Sequence, residues 1–200
     1  MTDPRLARTR AAILDAATEA MEAGPLEEIT ISGLVERAGV SRPSLYQHFG
    51  DLPSVFRDAA FARLQQRIAL IQPPASFEST GQWAAFLHGG VGGLLEHLRE
   101  HAVFYRRALH GPSGRELSAS VVAFLSTRIL EQSPLGARIP RGAALRPEDR
   151  VAAIAAGAVW IITDWLGSDF SGPDAVDAMT DRIAALLITL SGAESGEPTA

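Results

Sequence analysis

Apolar residues recur along this chain at the three- and four-residue spacing of helices, and no stretch shows the strict alternation of a strand. In RTRAAILDAATEAMEA, residues 8–23, Ile13, Ala16, Ala17, Ala20 and Met21 share one face, which predicts a helix with a single buried stripe. Gly24-Pro25 ends it. Residues 31–38, ISGLVERA, read as a second, short helix, with Thr30 at its cap and Ile29 and Leu34 placed for a hydrophobic staple. Gly39-Val40 is a turn. Ser41 caps a third helix, Pro43 falls in its first turn, and Gly50-Asp51 closes it. A long fourth helix is predicted from about Pro53 to Ile71.

Pro73-Pro74 is a hard break. Beyond it the pattern predicts helices at about 79–99, 101–110, 115–132, 148–167 and 173–191. They are separated by Gly111-Pro112, by Ser133-Pro134-Leu135-Gly136 and by Ser171-Gly172-Pro173. The expected fold class is therefore all-α. Residues 133–147 form a Pro-, Gly- and Arg-rich loop that is long for a compact domain, and the tail 192–200 lacks apolar anchors and is expected to be disordered. Gly89-Gly90 and Gly92-Gly93 weaken a helix locally, which predicts a kink or a close helix contact.

Composition narrows the class. At 200 residues with 46% hydrophobic content, the chain has enough apolar surface for a real core. No stretch is long and apolar enough to cross a bilayer, and MTDPRLARTR lacks an apolar signal core, so nothing in it marks export. Cysteine is absent, which excludes disulfides, thiolate metal sites and cysteine nucleophiles and fits a reducing compartment. The expected location is the cytoplasm, with no membrane partner. The formal net charge is −5 and every fixed side-chain cation is an arginine. An acidic chain is a poor indiscriminate binder of nucleic acid, so any DNA contact must rest on locally concentrated cations.

One short stretch has the layout for such a contact. GVSRPSLYQHF, residues 39–49, follows a capped helix and a Gly turn, with a longer helix in front: a helix-turn-helix layout. In such a unit the second short helix enters the major groove. Val40, Leu45 and Phe49 are expected to pin it beside Leu34, Val35 and Ala38. Arg42, Ser44, Tyr46, Gln47 and His48 then face outward. Arg42 can donate bidentately to guanine and Gln47 to adenine. Thr30, Ser41, Tyr46 and His48 suit phosphate contacts, helped by helix N-termini. Arg5, Arg8 and Arg10 are expected to form a flexible basic arm over the DNA backbone or minor groove.

ITISGLVERAGVSRPSLYQHFGDLPSVF resembles the DNA-binding segment of the TetR family of bacterial transcriptional regulators, over about residues 8–56. Thr30, Ser41, Arg42, Ser44, Leu45, Tyr46, His48 and Phe49 fall where that pattern places them. Three positions depart from it. Gly33 replaces the acidic residue that completes a capping box, Leu26 replaces an aromatic, and Asp51-Leu52-Pro53 stands where a phosphate-reaching Lys is common. The resemblance implies a DNA-binding domain over 1–52, a helical ligand-binding and dimerisation domain over 53–191, and a near-palindromic operator on double-stranded DNA. The expected DNA-binding set is Arg5, Arg8, Arg10, Thr30, Ser41, Arg42, Pro43, Ser44, Tyr46, Gln47 and His48.

The second half carries aromatics suited to an apolar guest between helices. Trp83 and Phe86 fall on one predicted helix, Phe104, Tyr105 and Leu109 on the next, Phe124 on another, and Trp160, Asp164 and Trp165 on the penultimate one. Trp160 and Asp164, four apart, share a face and are the favoured pair for an effector. Ala- and Gly-rich VAAIAAGAVWIITDWL and the following stripe of Val176, Met179, Ile183, Leu186, Leu187 and Leu190 suit a four-helix homodimer interface.

His97-Leu98-Arg99-Glu100-His101 matches H-x-x-E-H, a zinc-hydrolase pattern, but has only three fixed positions and no evident third ligand. No nucleotide-binding loop or G-x-S-x-G elbow is visible, so no cofactor and no enzymatic activity are expected. The expected function is a dimeric repressor released from DNA by a small, largely apolar effector. A constitutive or activating regulator, and a small metal-dependent hydrolase using His97, Glu100 and His101, are the alternatives.

Overall fold

The computed structural model describes residues 4–73, 79–133, 136, 139 and 145–191. Among these residues the fold holds nine α-helices and no strand. They are α1 (Pro4–Ala23), α2 (Ile31–Ala38), α3 (Arg42–Phe49), α4 (Leu52–Ala69), α5 (Thr80–Glu100), α6 (Ala102–His110), α7 (Gly114–Gln132), α8 (Pro147–Trp165) and α9 (Val176–Ser191). Single 3-10 turns occupy Leu26–Glu28 and Gly172–Asp174. The predicted tail 192–200 and most of the predicted loop 133–147 lie outside the described residues.

Two boundaries differ from expectation for local reasons. The first helix begins at Pro4 rather than near residue 8, so Arg5 and Arg8 ride on a helix and not on a flexible arm. Proline is well placed in a first helical turn, where its missing N–H has no partner to lose, and the Leu, Ala and Arg that follow are good helix formers. The last helix begins at Val176 rather than 173, because the Gly172–Asp174 turn is followed by an extended Ala175.

By packing, the chain divides into two compact units: one within Met1–Gln66 and His101–Ser118, the other within Arg67–Glu100 and Ala119–Ala200. In the first, α1 packs on α2, α3 and α6, and α2 packs on α3. Ile13, Ala17 and Met21 of α1, Leu34 of α2 and Leu45 of α3 are buried, together with Val55 and Phe56 of α4 and Phe104 and Tyr105 of α6. The first unit thus reaches beyond residue 52, since α2 and α3 are too short to enclose a core alone.

In the second unit α9 packs along α5 and against α8. Its core includes Trp83, Leu95, Val151, Ile154, Trp165, Met179 and Ile183. Gly90 and Gly92 of α5 serve close packing, and α5 runs unbroken through them. A Cβ at Gly90 would come within 2.9 Å of the Ile71 side chain, and one at Gly92 within 3.5 Å of Thr180. No helix among the described residues is long and apolar enough to cross a membrane.

Candidate DNA-binding surface and apolar cavity

The helix-turn-helix is built by its caps. Thr30 Oγ1 accepts from the Gly33 N–H at 3.2 Å and starts α2. Half of a capping box is therefore present, and the reciprocal acidic partner is replaced by Gly33. Gly39 ends α2 at φ 64°, ψ 32°, a left-handed conformation that glycine adopts without steric cost. The Val40 N–H then donates to the Val35 carbonyl at 3.0 Å. Ser41 Oγ accepts from the Ser44 N–H at 3.3 Å and lies 2.9 Å from Ser44 Oγ.

Leu45 is fully buried and anchors α3, while Val40 and Phe49 are half-buried beside it. The opposite face of α3 meets solvent. Tyr46 is 50% exposed, and Ser41, Arg42, Pro43 and Gln47 are exposed as well. Ser44 and His48 are half-buried, and Thr30 is exposed at the start of α2. The structure thus brings most of the expected set to one short helix and the cap before its partner.

Arg42 and Arg10 each meet a partner within the protein. Arg42 donates to the Ser32 hydroxyl, which tethers the first residue of α3 back to α2. Ser32 was not among the expected residues. Its exposed position in α2 gives no sequence signal until the two helices are placed together. Arg10 pairs with Asp58 at 2.5 Å, and its guanidinium lies 4.9 Å from the centroid of the Phe49 ring. It ties α1 to α4 and to the end of α3, while Arg5 and Arg8 lie exposed nearer the start of α1.

Asp51 caps α4. Its carboxylate accepts from the Ser54 N–H at 2.8 Å, and hydrogen bonds from the Ser54 hydroxyl and amide hold the carboxyl below its usual range. The departure at 51–53 therefore has a structural use, as a helix start.

A cavity of about 150 Å³ lies in the second unit. The end of α4, the residues after it, and α5, α7, α8 and α9 line it. Trp83 and Phe86, two of the expected effector residues, are in its wall, with Leu87 beside them. The others are elsewhere. Phe104, Tyr105 and Leu109 belong to the first unit, and Phe124 is not in the lining. Trp160 is 77% exposed and Asp164 is exposed, so that favoured pair faces solvent. Trp165 is buried, donates from its indole N–H to the Asp174 carbonyl at 2.7 Å and packs edge-on against Phe170. The lining that sequence reasoning missed includes Leu125, Arg128 and Ile129 of α7 and Ala155, Ala158 and Ile162 of α8. Apart from Arg128, these are small and apolar residues at helical spacing, indistinguishable in sequence from ordinary core.

Among the described residues no group of three or more His, Asp or Glu side chains is placed to hold a metal ion. The H-x-x-E-H pattern does not sit on one helix, because α5 ends at Glu100 and His101 lies in the turn before α6. His101 is engaged instead by Arg63, 2.9 Å from its Nδ1, with Glu22 at 3.3 Å.

A capped short helix, held by one buried leucine behind a left-handed turn and showing a polar face, defines a helix-turn-helix unit. Residues 13–52 match the family model described as bacterial regulatory proteins, tetR family. The fold is similar to that of the TetR family repressor AlkX from Dietzia sp. strain DQ12-45-1b (18% identity, TM-score 0.63, covering 91% of this chain and 96% of that one). It is also similar to a tetR-family transcriptional regulator from Streptomyces coelicolor (17% identity, TM-score 0.60, covering 97% and 85%). A third likeness is to the TetR-family transcriptional repressor QsdR of R. erythropolis (18% identity, TM-score 0.57, covering 92% and 94%). No curated protein matches the chain in sequence. Residues 13–52 thus carry the segment that this family model describes, and the fold is similar to that of TetR-family proteins.

Proposed function

We propose that this protein is a homodimeric repressor that leaves its operator when a small, largely apolar effector binds. The observation that carries the DNA half of the reading is α3: Leu45 buried on one side, Arg42, Tyr46 and Gln47 exposed on the other. Arg42 and Gln47 have the donor geometry to read base edges, and Tyr46, Ser41 and Thr30 to hold phosphates. Pro43, Ser44 and His48 complete that surface, with Arg5 and Arg8 adding charge from α1. Arg10 acts by positioning α3, through Phe49 and Asp58.

The effector half rests on the cavity. Its wall is apolar apart from Arg128, Gln132 and Ser133, as suits a guest with one polar end. The exposed Trp160, on an α8 face that also exposes Ala153 and Ala156, supports a dimer through α8 and α9. AlkX and QsdR are described as repressors, which favours repression over activation here. Effector binding favours release only where the effector prefers the released conformation, and tight binding alone shifts nothing. α4 runs from the helix-turn-helix side of the chain into the cavity wall and is the candidate lever. A cytoplasmic location fits this role.

The test is selection from random DNA followed by titration of the selected site at two salt concentrations, with competitor DNA present. The expected result is a near-palindromic site, bound in a salt-sensitive way and lost with both Arg42→Ala and Tyr46→Ala. Sedimentation at micromolar concentration should show a dimer. A monomer, or binding indifferent to both substitutions, overturns the reading.

A further inference from the structure

Resting on the effector reading above, we infer that the cavity is selective for an amphiphile with an anionic carboxylate head, and that Arg128 receives that head. Arg128 is the single charged side chain among the described residues that line the cavity. It donates to the Ile71 carbonyl at 2.5 Å and to Gln132 Oε1 at 3.3 Å. Both acceptors are neutral, and no ion pair joins Arg128 to a described carboxylate.

A guanidinium at an apolar wall loses hydration, and neutral acceptors return only part of it. Its planar fork of five donors matches a carboxylate bidentately, and such charge-assisted bonds are about twice as strong as neutral ones. The rest of the wall, including Trp83, Phe86, Leu94, Ile129 and Ile162, offers contacts suited to hydrocarbon. At the roughly 30 Å³ that each water occupies in the liquid, the cavity takes on the order of five heavy atoms, the head and first carbons of such a chain.

The position of Arg128 also gives the head group a consequence. Ile71 lies just beyond the end of α4, where its side chain packs against Gly90. A bound carboxylate draws on the same guanidinium that holds the Ile71 carbonyl, and so acts on the tether at the end of the candidate lever.

The experiment titrates full-length protein calorimetrically with sodium octanoate and with octan-1-ol at pH 8, where the acid is ionised. Octanoate is expected to bind about tenfold or more tightly than octanol. Arg128→Met should remove that preference while leaving octanol binding within about twofold, and Arg128→Lys should keep it in part. Equal affinity for the two probes on the unaltered protein overturns the inference, without any variant needing to fold. So does an unchanged preference in Arg128→Met, or binding of neither probe. Each probe is also added to the protein–DNA complex. Octanol and octanoate releasing DNA equally leaves the effector reading standing and removes the carboxylate claim. Selective octanoate binding with no release does the reverse.

Discussion

The Arg10 guanidinium sits 2.5 Å from the Asp58 carboxylate and 4.9 Å from the centre of the Phe49 ring. One side chain of α1 thereby braces both α4 and the last residue of α3. Arg10→Ala is expected to cost about 1 kcal/mol, the sum of a partly exposed ion pair and a cation–π contact. That corresponds to a fall of roughly 2–4 °C in melting temperature. Arg8→Ala, at an exposed position of the same helix, should leave melting unchanged and lower DNA affinity. It should also reduce the salt slope by up to about one unit. Thermal melts and salt titrations of the two variants separate these roles. Identical behaviour would contradict the division.

Ser32 accepts from Arg42, the residue expected to read a base. Binding a guanine must break that bond. Arg42→Ala is therefore predicted to cost about 1–3 kcal/mol of specific binding. Ser32→Ala, which only releases the guanidinium, should hold affinity steady or raise it slightly. A loss on Ser32→Ala as large as that on Arg42→Ala would place Ser32 itself on the DNA.

Leu52 opens α4 just after its Asp51 cap, at the position where relatives of this pattern commonly offer a Lys near phosphate. Leu52→Lys is expected to steepen the dependence of log K on log salt by about one unit. Stability should change little, since Leu52 is only half-buried. An unchanged slope in anisotropy titrations would show that the position does not face the backbone.

Tyr105 is buried in the first unit and packs edge-on against Phe104. Burial pushes its phenol well above the usual tyrosine range. The sign follows from linkage. The unfolded chain ionises near pH 10 while the fold keeps the proton, so stability is complete below about pH 10 and falls as pH rises above it. Denaturant melts of Tyr105→Phe should show a shallower alkaline decline than the parent protein. Parallel curves would rule out Tyr105 as the source of the decline.

Much of the first unit was legible in order along the chain. The Thr30 and Ser41 caps, the Gly39 turn and the burial of Leu45 are local properties, set by backbone stereochemistry and by residues three or four apart. The family match over 13–52 rests on the same local signals. What the chain could not state locally was which apolar side chains enclose space and which fill it. Trp83 and Phe86 line the cavity, Trp165 fills core, and Trp160 stands in solvent, although all four carry the same aromatic signal. Helical periodicity reports a face and never the neighbour it meets.

By itself, then, the sequence determined the helices, their caps and the DNA-binding motif, because each depends on interactions spanning a few residues. Tertiary structure alone decided that Arg10 is a brace, that Arg42 rests on Ser32, that Arg128 faces an apolar cavity beside Ile71, and that His101 meets Arg63. Each of those contacts joins residues ten to fifty-seven positions apart. Their partners are selected by how whole helices pack, which no local pattern encodes.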